Sequence, residues 1–365
     1  MYKLPSGIRS RYIENVNGLK MHILESGNAE KIKPCILLLH GFPELAFSWR
    51  KIMVPLANQG YHVIAPDLRG VGLTEGCDIS YNSNLDNFSI INMAKDIMSL
   101  LSHLKYFSNV TIIGHDFGSP LAAQCVLTEP NFFSSLTMMS APVAGKYSKA
   151  NLNEKINQEL KELIPAKKHY QHYFSSPQAN RDILNCPQGI ESFLNGYYIF
   201  KSGDWDGNQP IQLDAWKAEE LTKMPSYYIM PLNKNMPEVI NDFLKSNNLG
   251  NSKWLTKEEL NIYSSIYKKT GFQGGLNWYR AMLDTELINK TVKPSNDKVN
   301  IPTYFIAGEK DWGIFQKPGD LKNMSTLFCT KMQGISFIEN AGHWVQQEAP
   351  SKVVEILMKF LKKLI

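Results

Sequence analysis

Up to residue 139, short apolar runs alternate with longer amphipathic stretches. The runs "CILLL" (35–39), "HVIA" (62–65), "VTII" (110–113) and "SLTMM" (135–139) read as buried strands. Their alternation with helical segments predicts a mostly parallel sheet with right-handed crossovers. Ahead of them, "RYIENVNGLKMHILESG" sets an Asn-Gly pair between two strand-like segments, the signature of a hairpin.

After "SAPVAGKYS" the rhythm changes. From about residue 146 to 290 the period is helical, as in "NLNEKINQELKELI" and "TKEELNIYSSIYKK", with Pro and Gly breaks, many aromatics and no convincing core strand. Strand-like runs resume at "TYFIA" (303–307) and "ISFI" (335–338), followed by an amphipathic helix, "SKVVEILMKFLKKLI". The expected organisation is a core in two parts, 1–145 and 291–365, closing around an inserted helical subdomain at 146–290. The aromatics of the insertion, among them Trp205, Trp216, Tyr227, Tyr228 and Trp254, fit either an apolar pocket or a well-packed lid.

Composition narrows the function classes. The 365 residues are 43% hydrophobic, enough for a substantial core, and the net charge of +5 is scattered rather than gathered into a stripe. Nucleic-acid binding has little support. The five cysteines, Cys35, Cys77, Cys125, Cys186 and Cys329, lie far apart with no metal-ligand spacing, which fits a reduced cytoplasmic compartment. The N-terminal stretch has no apolar leader segment, and no run reaches the length of about 18 apolar residues that a membrane span needs.

Chemistry enters at "TIIGHDFGSPLAAQ". A strand ending in Gly-x-Asp-x-Gly and passing straight into a helix is a nucleophile-elbow pattern with aspartate, Asp116, at the apex. Gly114 and Gly118 flank it where a side chain would clash between strand and helix. The helix start favours the ionised carboxylate. An ordinary N-cap aspartate is the plainer alternative.

A carboxylate that attacks carbon forms an ester, and ester hydrolysis needs a base. His343, in "ENAGHWVQQEAP", follows the last expected strand and fills that place, whereas His40 and His115 are expected to hydrogen-bond locally. "GEKDWG" offers Glu309 and Asp311 as the acid that orients the imidazole, and Asp311 takes the sharper loop position. Backbone donors for an oxyanion are expected from Phe117 and from Phe42 in "LLLHGFPELAFSWR". The Phe42-Pro43 bond is a candidate cis peptide that would fix that loop.

These pieces together resemble the α/β-hydrolase superfamily and, within it, the soluble epoxide hydrolases. The resemblance rests on "HGFPELAFSWR", "VIAPDLRGVGLTE", "GHDFG", "GEKDW" and "GHWVQQEAP" in the core. In the insertion it rests on "YQHYFSSPQANRDI" and "WLTKEELNIYSSIYKKTGFQGGLNWYRAM". It covers essentially the whole chain and implies an α/β-hydrolase fold with a helical cap. It implies that Tyr173 and Tyr279 donate to the epoxide oxygen, because an alkoxide leaves poorly unless protonated. Tyr170 lies one helical turn from Tyr173 and is open to confusion with it. Two departures stand out: Phe117 replaces the family's common Trp, and Ala46-Phe47 replaces its frequent aromatic pair.

The expected reaction is hydrolysis of a small apolar epoxide to a vicinal diol, by a monomer or homodimer, with no metal or organic cofactor implied. A haloalkane- or haloacid-type dehalogenase uses the same Asp-His-Asp logic, but Phe117 removes the nearest indole donor for halide and the paired tyrosines favour an epoxide. A serine esterase does not fit an aspartate apex. A binding protein on a hydrolase fold does not need the full set.

Overall fold

The computed structural model describes residues 2–27, 34–145, 150–247, 250, 252–291 and 298–364. The chain opens with the expected hairpin, β1 (Ile8–Val16) and β2 (Leu19–Ser26). Asn17 and Gly18 form its turn with φ of 49° and 80°, the positive pair that lets a two-residue loop follow the strands' right-handed twist. The apolar runs become β3 (Cys35–Leu39), β4 (His62–Pro66), β5 (Val110–His115) and β6 (Phe133–Met139). Every residue of β3, β4 and β5 is buried, as strands covered on both faces require.

Among the described residues, two strands in the insertion, β7 (Lys167–His169) and β8 (Ile229–Pro231), pair only with each other. β9 (Thr303–Gly308) and β10 (Met332–Ile338) then complete the main sheet. Among the described residues it has eight strands in the order β1-β2-β4-β3-β5-β6-β9-β10. β1 pairs antiparallel with β2, and β2 antiparallel with β4; every other pair is parallel. The parallel strands all point their carboxyl ends to one edge, where this class of sheet places ligands.

Between β6 and β9 the chain is helical, including Tyr170–Phe174, Gly189–Phe200, Met236–Asn247, Lys257–Thr270 and Gln273–Leu283. The expected start of this segment, residue 146, lies outside the described residues, and its expected end falls in the helix Thr285–Thr291. The terminal amphipathic helix spans Pro350–Lys362; Ile365 lies outside the described residues.

The helical segment docks on the carboxyl edge of the sheet through buried polar contacts. Hydroxyls of Tyr198 and Tyr267 donate to the carbonyls of Pro43 and Glu44 at 2.7 and 3.0 Å, and the Trp278 indole donates to the Arg69 carbonyl at 2.9 Å. Arg50 Nε donates to Glu259 Oε1 at 2.6 Å, and Glu259 also closes a capping box with Thr256. The aromatics divide accordingly. Tyr227, Tyr228 and Trp254 are core residues of the helical layer, while Trp205 packs at its margin against Phe200 and Phe243.

Candidate active site

β5 runs into Asp116 and then directly into the helix Gly118–Thr128, so the apex residue must turn the chain within one step. Asp116 has φ of 52°, a left-handed conformation that a non-glycine residue holds only when its surroundings impose it. A Cβ on Gly114 would lie 2.0 Å from the Gly118 carbonyl oxygen, and one on Gly118 would lie 2.0 Å from that of Leu39. The two glycines permit the close approach that creates the elbow. Gly41, whose added Cβ would meet Asp116 at 2.4 Å, gives the carboxylate its space on the other side.

The Phe42 amide donates to Asp116 Oδ1 at 3.1 Å, so the expected donor of the β3 loop is on the carboxylate itself; Phe42-Pro43 is cis. Phe117 is the N-cap of the following helix, where the first amides lack intrahelical partners. Burial pushes the Asp116 pKa up, but His343, Lys201 and His115 outweigh it and hold the carboxyl well below its usual range. Asp116 is therefore ionised at any working pH.

His343 Nε2 lies 3.2 Å from Asp116 Oδ2 without meeting hydrogen-bond geometry, and Nδ1 lies 3.0 Å from Asp311 Oδ1. An ionised carboxylate can only accept, so Nδ1 carries a proton toward Asp311. Asp311 is 1% exposed and also accepts the Gly313 amide at 2.6 Å. Burial raises its pKa, and His343, the Gly313 amide and Lys201 more than reverse that. Glu309, the other carboxylate of this loop, is exposed. β9 supplies the acid and β10 the histidine, both just past their carboxyl ends.

A buried ion pair that sequence reasoning missed lies beneath this group. His115 Nδ1 lies 2.6 Å from Glu44 Oε2, and Nε2 lies 2.7 Å from the His343 carbonyl oxygen. A carbonyl only accepts and an ionised carboxylate only accepts, so His115 is an imidazolium. Burial lowers the His115 pKa, but Glu44 and Asp116 raise it overall; for Glu44 burial raises and His115 lowers, with a net fall. The Glu44 carboxylate also accepts from Gly41, Gln346 and Gln347. The available signal was an acid, Glu44, inside an otherwise apolar loop. His40 hydrogen-bonds locally as expected, Nδ1 to the Gly41 carbonyl at 2.7 Å, with Nε2 accepting the Leu68 amide at 3.1 Å.

The tyrosines divide differently from the expectation. Tyr279 and Tyr170 are buried with ring centroids 5.9 Å apart, and burial followed by the Asp116 charge raises the Tyr170 pKa. Burial, Tyr170 and Asp116 likewise raise that of Tyr279. Tyr173 is not brought to this group. Its hydroxyl donates to Asp182 Oδ2 at 3.2 Å in a polar groove lined by Lys168, Gln178 and Glu238. Three residues along a helix rotate a side chain by about 60° and move it about 4.5 Å, enough to carry a hydroxyl from cavity to rim. Tyr170, rather than the expected Tyr173, is the tyrosine that packs against Tyr279.

Phe117 stacks on Trp278 with centroids 4.7 Å apart. Both rings line an apolar pocket with Phe88, Ile90, Met282 and Leu287. Among the described residues no group of three or more His, Cys, Asp or Glu is placed to hold a metal ion, and no helix is long and apolar enough to cross a membrane.

The family profile of the alpha/beta hydrolase fold matches residues 34–176. The chain is 29% identical to the bifunctional epoxide hydrolase 2 of Rattus norvegicus over 98% of its own length, spanning 56% of that protein. It is 27% identical to epoxide hydrolase A of Mycobacterium tuberculosis, with 97% of this chain and 98% of that one covered. The solved structure of potato epoxide hydrolase I superposes with a TM-score of 0.76 at 28% identity, covering 98% of this chain and 99% of that one. The carboxylate elbow, the histidine and acid past the last two strands, and these similarities agree: the chain has an α/β-hydrolase fold and is similar over nearly its whole length to epoxide hydrolases.

Proposed function

We propose that the chain hydrolyses an epoxide to a vicinal diol through an ester on Asp116. The observation that carries this reading is the convergence of an ionised, backbone-held carboxylate with two buried tyrosines that share its field, Tyr170 and Tyr279. In the first step an Asp116 oxygen attacks a ring carbon and the ring C–O bond breaks. The oxygen that leaves takes a proton from one of the tyrosines, whose raised pKa keeps it a donor.

In the second step His343 Nε2 accepts a proton from water as the water oxygen attacks the Asp116 carboxyl carbon. Asp311 stabilises the resulting imidazolium at 3.0 Å. Amides of Phe42 and Phe117 stabilise the oxyanion; the ester C–O bond breaks, the second water proton passes from the new carboxyl group to the leaving alkoxide, and the diol leaves with Asp116 ionised again. The proton on His343 returns to the tyrosine phenolate through solvent, which restores the free enzyme.

The helices between β6 and β9 act as the cap over this site, because they carry both tyrosines. Curated relatives bearing the name epoxide hydrolase support the same reading. A dehalogenase reading lacks support: the residue after the nucleophile is Phe117, and the Trp278 indole N–H is already donated to the Arg69 carbonyl. Five free cysteines suit a reducing cytoplasm. A single turnover in heavy-oxygen water tests the route. Label is expected in the Asp116 carboxylate; label confined to the first-turnover diol overturns it.

A further inference from the structure

Lys201 follows the helix Gly189–Phe200 as its C-cap and is 3% exposed. Its Nζ lies over the rings of Tyr228, Tyr197, Trp344 and Tyr227 at 5.1, 5.4, 5.4 and 5.9 Å. Among the described residues no carboxylate comes within salt-bridge distance of it. Burying an ammonium is costly without compensation. The rings and the negative end of the helix supply part of it. The rest comes from carboxylates farther off: Asp116, then Asp311, then Glu44.

The position of this charge is fixed by the backbone. The His343 amide donates to the Lys201 carbonyl at 2.9 Å. Two residues on, the Gly203 amide shares Glu348 Oε2 with the Gly342 amide, each at 2.8 Å. A Cβ on Gly342 would come within 2.4 Å of the Ser202 backbone, so the two segments cannot separate or slide without losing these contacts. One oxygen of Asp311, Oδ2, is buried and makes no hydrogen bond, which leaves its charge to be met at longer range.

We propose that Lys201 is a positioning residue whose fixed positive charge acts through space on Asp116 to favour breakdown of the ester over its accumulation. This inference rests on the two-step reading given under the proposed function. Alkylation removes the charge from Asp116, and hydrolysis restores it through an oxyanion on the same carboxyl group. A nearby cation therefore stabilises the free enzyme and the oxyanion relative to the neutral ester. It opposes the imidazolium that His343 becomes, but Asp311 compensates that charge at contact distance. At an effective dielectric of about 20, a unit charge roughly 10 Å away is worth about a factor of ten. Burial draws the Lys201 pKa below the usual lysine range despite Asp116, Asp311 and Glu44, so the cation can be lost at alkaline pH.

Rapid-quench single turnovers, with the protein-bound ester measured by mass, test this on the wild type, K201M and K201R. Methionine keeps the apolar stem within the aromatic cage and removes the charge. In K201M ester hydrolysis is expected to slow about tenfold while alkylation is no slower, so ester accumulates. In K201R hydrolysis is expected to stay near wild type at neutral pH and to hold at alkaline pH, where the wild type declines as Lys201 deprotonates. A merely structural role would not separate the two steps or remove the alkaline limb. Equal effects of K201M on both steps, or no effect on either, overturn the proposal. If K201M does not fold, an alkaline limb identical in wild type and K201R overturns it alone. Absence of any wild-type ester overturns the two-step reading instead.

Discussion

Tyr170 and Tyr279 meet edge to face, with ring centroids 5.9 Å apart and planes at 77°, while the hydroxyl of Tyr173 is engaged by Asp182. We therefore propose Tyr170 and Tyr279 as the ring-opening pair. Replacing either with Phe is expected to slow alkylation on the order of 10²-fold, the ordinary value of a positioned proton donor. Tyr173→Phe is expected to leave alkylation within about threefold. Pre-steady-state rates of ester formation measure all three.

His343 stands between Asp116 and Asp311, and the role proposed for it falls in the second step. His343→Gln is expected to form the ester and then stall, with turnover lower by about 10³-fold. The mass of the Asp116 peptide after brief exposure to an epoxide checks this. An unmodified peptide with unchanged turnover contradicts it.

The Glu44–His115 pair is fully buried, so removing one partner strands the other. Glu44→Gln is expected to cost about 3–5 kcal/mol of folding stability, read as a lower urea midpoint. The pH dependence has two sides. Glu44 has a depressed pKa, so its contribution is complete above its ordinary 4.5 and is lost as pH falls through the lower native value. His115 has a raised pKa, so its contribution is complete below its ordinary 6.5 and is lost as pH rises through the higher native value. Between those ordinary values the pair's contribution is expected to be flat, and Glu44→Gln removes both flanks.

Phe117 shares a stacked wall with Trp278 beside the apolar pocket. Phe117→Trp enlarges that wall while retaining the amide that follows Asp116. For a bulky aromatic epoxide kcat/KM is expected to fall by roughly threefold to tenfold relative to a small aliphatic one, the scale set by small volume changes in an apolar pocket. A matched pair of substrates measures the ratio.

The core was legible because its signals are local. Fully apolar runs bounded by turns gave β3, β4 and β5, and the Asn17-Gly18 pair gave the hairpin. The spacing Gly114, Asp116, Gly118 carries its own steric reason, since a Cβ on either glycine would strike backbone. The choice between Tyr170 and Tyr173 was not local. Both lie in one short helix with similar neighbours in sequence, and only the packing of that helix on Gln273–Leu283 turns Tyr170 toward Tyr279. Lys201 was silent for the same reason: a lysine that follows an amphipathic helix reads as solvated until its burial is seen.

The sequence by itself determined the strand and helix order, the strained elbow at Asp116 and the kinds of groups available to it, because period, turn chemistry and steric need for glycine act over a few residues. Tertiary structure decided which of those groups meet. Asp116, Asp311 and His343 come from three strands and Lys201, Tyr170 and Tyr279 from the helical layer. Charges and hydroxyls far apart along the chain acquire their protonation states and roles only when burial brings them within reach of one another.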